Sequence, residues 1–204
     1  MSDFILKNSI YFSQRDNEIH PNVSCFPTSM GMGIAYCLQT LGLDKRALGC
    51  SSSEQLEDFL NKIISDEKTK TWMRRNTRKL GNWIWSYKRR TIYNVEEYAF
   101  NRLMNDYGYK CKFESAYTFN KYCDTIFRNE LPIILGGNFK SVSRVGAHLV
   151  CGIGFKGNNF IINDPFGNAM EGYARGSDGE KTEYSQKFFK RKNKKIFAMV
   201  IERI

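Results

Sequence analysis

Histidine and proline are scarce in this sequence: 204 residues hold only His20, His148 and four prolines. Any chemistry that needs an imidazole must therefore use one of two side chains. Six cysteines stand at 25, 37, 50, 111, 123 and 151, with no Cys-x-x-Cys pair and no histidine at a ligand spacing from two of them. A zinc site is not expected from such a pattern, and no metal or organic cofactor is implied. No run approaches 18 apolar residues, so a membrane-spanning helix is excluded. The first sixteen residues carry an early acid, Asp3, and no basic stretch ahead of an apolar one. They do not read as a secretory signal. The expectation is synthesis in the cytoplasm, with action on a cell wall only after lysis or export, and free thiols rather than disulfides.

Basic charge and aromatic side chains are plentiful. The formal net charge is +10, with 42% hydrophobic and 14% aromatic residues. That composition supports a core and argues against disorder. Nine basic residues fall between Lys68 and Arg90, interleaved with Trp72, Trp83 and Trp85, and six more between Lys187 and Lys195. Such a field attracts polyanions: an anionic cell-wall polymer, a membrane surface or nucleic acid. It serves equally as a solubilising face. The tryptophans could stack on sugars or bases, or pin the basic segment onto the rest of the chain.

The length suits one domain, 1–204, with a basic Trp-containing helical insertion at about 66–93. A short strand is expected at Ile10–Phe12, then a loop bracketed by Pro21 and Pro27. A helix is expected over Thr28–Leu41, ended by Gly42. A second, capped from Ser51–Ser53, places Leu56, Phe59, Leu60, Ile63 and Ile64 on one face. A third runs from Asn94 to Asp106, ended by Gly108, and a fourth over Thr118–Asn129. Strands are expected at Tyr109–Phe113, Leu131–Leu135, His148–Phe155, Phe160–Asp164 and Ile196–Ile204. The run Lys156-Gly157-Asn158-Asn159 makes a hairpin turn. Helices first and strands later indicate an α+β fold.

Cys25 is the thiol with a chemical setting. It stands in Ser24-Cys25-Phe26-Pro27-Thr28-Ser29, at the N-terminus of a helix whose free N–H groups and dipole favour thiolate. Cys50 also precedes a helix start and is its rival. A thiolate nucleophile needs a base. His148, at the head of an apolar strand in Gly146-Ala147-His148-Leu149-Val150, suits that role better than His20 in a loop. Asp164, across the hairpin, can orient the imidazole. Its neighbour Asn163 is the alternative, pointed to the opposite face by strand alternation. Gln14 is the candidate oxyanion donor, with the Cys25 backbone N–H as its partner. Each residue also has a plain structural reading: buried thiol, core imidazole, turn-initiating Asp, surface amide.

Taken together, Tyr11-Phe12-Ser13-Gln14-Arg15-Asp16-Asn17, the Cys25 segment, Gly146 to Gly154 and Ile162-Asn163-Asp164-Pro165 resemble the papain-like cysteine peptidase superfamily. The branch is similar to the bacteriocin-processing double-glycine leader peptidases. The resemblance covers roughly residues 8–42 and 94–166. It implies a helical half carrying Cys25, packed against an antiparallel sheet carrying His148 and Asp164, with Gln14 at the oxyanion. Members often have Gly directly after the Cys; Phe26 stands there here and puts the width of the cleft in question. The central basic segment and the long basic tail after Pro165 carry no motif that contributes to the resemblance. The expected function is amide hydrolysis by acyl transfer. The leading substrate is peptidoglycan, as in phage lysins. A protein or leader peptide is the alternative, and a catalytically silent module binding a polyanion is a third.

Overall fold

The computed structural model of the protein describes residues 2–18, 21–22, 24–77, 84–138, 147–174, 178–189 and 196–204. In chain order the elements are β1 (Phe4–Ile5), α1 (Cys25–Thr40), α2 (Leu56–Ser65), α3 (Glu67–Thr77), α4 (Ile84–Met104), β2 (Tyr109–Tyr117), α5 (Phe119–Asn129), β3 (Ile133–Asn138), β4 (Ala147–Lys156), β5 (Asn159–Asn163), β6 (Thr182–Ser185), α6 (Gln186–Phe189) and β7 (Ile196–Arg203). This is an α+β fold. Its seven-stranded sheet runs β2-β7-β3-β4-β5-β6, with β1 added to β4, and every pairing is antiparallel. Among the described residues no helix is long and apolar enough to cross a membrane.

Strand alternation sorts the core into two clusters. Ile133, Leu135, Val150, Ala198 and Val200 join one, with Tyr122 and Ile126 of α5. Their sequence neighbours Ile134, Leu149, Met199 and Ile201 join the other, with Ile34 and Leu38 of α1, Leu60 of α2 and Phe100 of α4. The central strands β3, β4 and β7 are thus apolar on both faces because both are covered. The helical face includes the expected α2 stripe, with Leu56 and Leu60 buried and Phe59, Ile63 and Ile64 packed around them.

Element boundaries differ from expectation in several places. Helix α1 begins at Cys25, not Thr28. Pro27 does not delay it, because the N–H it lacks falls in the first turn, where amides have no helical partner. Gly42 ends α1 in the left-handed conformation, as expected. Helix α2 is capped at Gln55 rather than by the serines. Asn94 starts no helix: α4 already begins at Ile84, and Tyr93 lies in the same buried stripe as Phe100 and Met104. No Gly or Pro separates Ile84 from Asn94, so nothing interrupts propagation. Ile10–Phe12 forms no strand. The Ile10 carbonyl accepts from Asn163 Nδ2, and Tyr11 Oη bonds the Asp164 carbonyl, so this segment is held by side chains instead of a ladder. The N-terminal strand is Phe4–Ile5. Trp72 stacks on Tyr98 at 4.6 Å, pinning α3 to α4. Trp83, the Trp85 side chain, His20, Gly146 and the basic residues 190–195 lie outside the described residues.

Strand β1 docks at a single point of close approach. A Cβ on Gly154 would sit 2.3 Å from the Phe4 carbonyl oxygen. Tyr122 Oη also holds this peptide, donating to the Gly154 carbonyl at 2.7 Å and accepting its N–H at 3.1 Å. Gly154→Ala is therefore expected to unseat β1 and lower the unfolding free energy by about 1–3 kcal/mol, the usual range for overpacking. Urea titration of the two proteins checks this; equal midpoints would show that β1 does not depend on Gly154.

Candidate active site

Cys25 is the first residue of a sixteen-residue helix, and its amide lies among the unpaired N–H groups of the first turn. Burial acts on its thiol to raise the pKa. A hydrogen bond and the charge of His148, together with the Leu149 backbone N–H, outweigh that effect and hold the pKa below its ordinary value. The other five thiols are all pushed up, chiefly by burial: Cys37 to about 12 and Cys123 to about 11. All six are free. Cys50, the rival, packs at 3.7–3.9 Å from the Ser51 and Glu54 carbonyls and the Glu54 carboxylate, surroundings that disfavour a thiolate.

Leu149 of β4 touches α1 through both of its backbone groups. Its N–H reaches the Cys25 sulfur, and its carbonyl accepts from Ser29 Oγ at 3.1 Å. The preceding residue, His148, is thereby carried against Cys25. His148 is 2% exposed, and its Nε2 lies 2.7 Å from Asp164 Oδ1. Nδ1 is left to face the thiol. Burial acts to lower the imidazole pKa, but the Asp164 carboxylate and Cys25 raise it to about 10. The arrangement favours a thiolate beside an imidazolium, a pair that titrates as a unit.

Asp164 follows the end of β5 and is fully buried. Its Oδ1 also accepts the Phe166 N–H at 3.0 Å, and its Oδ2 accepts from Tyr184 at 2.8 Å and Tyr173 at 3.1 Å. The carboxylate is thus satisfied on both oxygens, as a buried charge requires. Burial and the Asp164 charge push both phenols well up, so they remain donors. Its backbone is gripped too: Asp164 N–H donates to the Gly179 carbonyl at 2.8 Å, and a Cβ on Gly179 would stand 1.9 Å from the Asp164 carbonyl oxygen. Asn163 points elsewhere, donating to the Ile10 carbonyl and accepting from the Lys181 N–H, which removes it as the imidazole partner.

The structure thus brings Cys25, His148 and Asp164 into one chain of contacts. Gln14 is 1% exposed, in a 3-10 turn whose N–H donates to the Pro165 carbonyl at 2.8 Å. Its Nε2 donates to the Pro21 carbonyl at 2.7 Å, and the second hydrogen on that nitrogen has no partner among the described residues. Phe26 is buried in the helix-side cluster with Met30 and Ile34. Its side chain is therefore packed into the core.

Sequence reasoning missed four residues around this site. Tyr173, Tyr184 and Gly179 come from the tail that matched no motif, and only the tertiary fold returns them to Asp164. The fourth is Glu96 of α4, 2% exposed, whose Oε2 has no hydrogen-bond partner among the described residues. Burial first, and the Cys25 charge second, push its pKa well up, so it stays neutral beside the site. The signal for it was a carboxylate on the Tyr93–Phe100 apolar stripe.

The Peptidase_C39 like family matches residues 6–196. A crystal structure from Bacillus anthracis, described as a C39-like peptidase, superposes with a TM-score of 0.56 at 10% identity, covering 100% of each chain; at that identity the likeness is one of fold. No curated protein sequence matches the chain.

Alkylation by iodoacetamide should reveal the ion pair. Cys25 is expected to react with an apparent pKa below that of free cysteine. In His148→Ala only the Leu149 backbone N–H still opposes burial, so the pKa should rise, slowing reaction at pH 7 by about ten-fold or more. Gly179→Ala, by displacing Asp164, should shift the profile the same way. A profile indifferent to both changes would refute the coupling.

Proposed function

The chain belongs to the Peptidase_C39 like family, and on that footing we propose that it hydrolyses peptide amide bonds through Cys25, His148 and Asp164, with Gln14 at the oxyanion. The observation that carries this reading is the lowered Cys25 thiol alongside the raised His148 imidazole, with Asp164 at 2.7 Å. The Cys25 proton resides on His148 Nδ1, and the thiolate attacks the substrate carbonyl carbon. The negative charge that develops on the carbonyl oxygen is met by the Cys25 backbone N–H and the second Gln14 Nε2 hydrogen. The C–N bond breaks as imidazolium protonates the leaving amine, which departs and leaves a thioester. His148 then takes a proton from water, the hydroxide displaces Cys25, and the carboxylate product leaves. Asp164 holds the Nε2–H throughout and stabilises the imidazolium without accepting its proton.

The ion pair exists above the pH at which Cys25 ionises and below that at which His148 loses its proton, near 10. Activity should follow a bell between these limits. The proposed substrate is the peptide part of peptidoglycan. Its support is the +10 charge, which draws the protein to an anionic wall.

Purified parent, Cys25→Ala, His148→Ala and Cys50→Ala proteins incubated with peptidoglycan from several bacteria test both levels. New amines and soluble fragments are followed by mass spectrometry. The parent and Cys50→Ala should release fragments; Cys25→Ala should release none, and His148→Ala should be slower by about 10²–10⁴-fold. Release that survives Cys25→Ala would overturn the nucleophile. Cleavage of a peptide library but of no wall would overturn peptidoglycan and leave a protease acting on proteins.

A further inference from the structure

Helix α3 presents four side chains at helical spacing into one surface groove: Lys68, Thr71, Trp72 and Arg75, which are i, i+3, i+4 and i+7. Tyr98 of α4, stacked on Trp72 at an interplanar angle of 14°, and Glu67 complete the lining of a space of about 450 Å³. Lys68 and Arg75 are exposed and have no ionic partner among the described residues, whereas neighbouring Lys70 is paired with Glu67 at 3.0 Å. They lie about 10 Å apart along the helix axis, with the aromatic pair between them. Tyr98 and Glu96 are two residues apart on α4, about 200° around the helix, so the groove opens away from Cys25.

We propose that this groove is a binding site for an anionic polysaccharide. Lys68 and Arg75 would take two acidic groups, and a sugar ring between them would lie against the edge of the Trp72–Tyr98 stack. The aromatic pair offers apolar contact to a sugar ring, and the two cations attract acidic groups on either side. Glu67 and Thr71 favour a sugar over nucleic acid. The Thr71 hydroxyl and the Glu67 carboxylate, which Lys70 pairs at 3.0 Å, can bond sugar hydroxyls, and a backbone with a phosphate at every nucleotide crowds more negative charge beside Glu67 than a chain charged at alternate sugars. The site is separate from the cleft and does not depend on hydrolysis.

Binding is measured with Cys25→Ala protein, so that no cleavage intervenes. Hyaluronan, a chain of alternating carboxylate-bearing sugars, is the probe; dextran and an oligothymidylate of similar length are the comparisons. Hyaluronan should bind, dextran should not, and oligothymidylate should bind more weakly. Trp72→Ala, and separately the exposed pair Lys68→Ala/Arg75→Ala, should each weaken hyaluronan binding about ten-fold or more. Lys7→Ala/Lys112→Ala, which removes the same charge elsewhere, should change it less than two-fold. Circular dichroism confirms that the variants are folded; the exposed pair carries the test if Trp72→Ala is not. Three results overturn the proposal: no hyaluronan binding, tighter binding of oligothymidylate, or equal losses from the two charge-removing pairs. A silent peptidase with an intact groove, or the reverse, separates this site from the catalytic reading.

Discussion

The contact on which this molecule turns is the docking of the first turn of α1 on the Leu149 peptide of β4. One backbone unit gives its N–H to Cys25 and its carbonyl to Ser29. Because His148 is the next residue back along the same strand, the helix cannot dock without bringing thiol and imidazole together. The approach must be close. Gly33 permits it on the following turn, where a Cβ would stand 2.9 Å from Ile201 Cδ1 of β7. The apolar cluster shared by α1, α2, α4 and the central strands supplies the driving force, and the polar contacts set the register.

Asp164 shows how the remainder of the chain serves that contact. A fully buried carboxylate would be costly alone, and it is satisfied by the imidazole, a backbone N–H and two phenols. Those donors come from 148, 166, 173 and 184, so β5, the loop after it and β6 are tied to one pair of oxygens. Tyr173 also packs edge-on against the His148 ring at 5.8 Å, limiting water around the ion pair. Glu96, on the helical side with its Oε2 lacking a hydrogen-bond partner among the described residues, adds no charge while it keeps its proton.

The basic segment stands apart from this economy. Its pairing to the body is aromatic, Trp72 on Tyr98, with an ion pair from Arg102 to Asp66 at 2.6 Å. Lys68 and Arg75 have no ionic partner among the described residues, and leaving them so costs little stability, since exposed pairs contribute little in any case.

Much of the site was legible in residue order. A cysteine at a helix start, one histidine heading an apolar strand and an aspartate across a Gly-Asn turn are local signals, and local sterics and hydrogen bonding enforce them. Strand alternation likewise separates Asp164 from Asn163. Boundaries were less legible, because helix ends follow the packed stripe: α4 starts ten residues ahead of the apparent cap at Asn94, its buried face already including Tyr93. What only the tertiary structure decided were contacts between residues far apart in sequence. Tyr173, Tyr184 and Gly179 converge on Asp164, Phe26 turns into the core, and the charge states of Cys25, His148 and Glu96 depend on which groups face them after folding. A sequence fixes which ionisable groups exist; burial and proximity, which set their protonation, are properties of the packed chain.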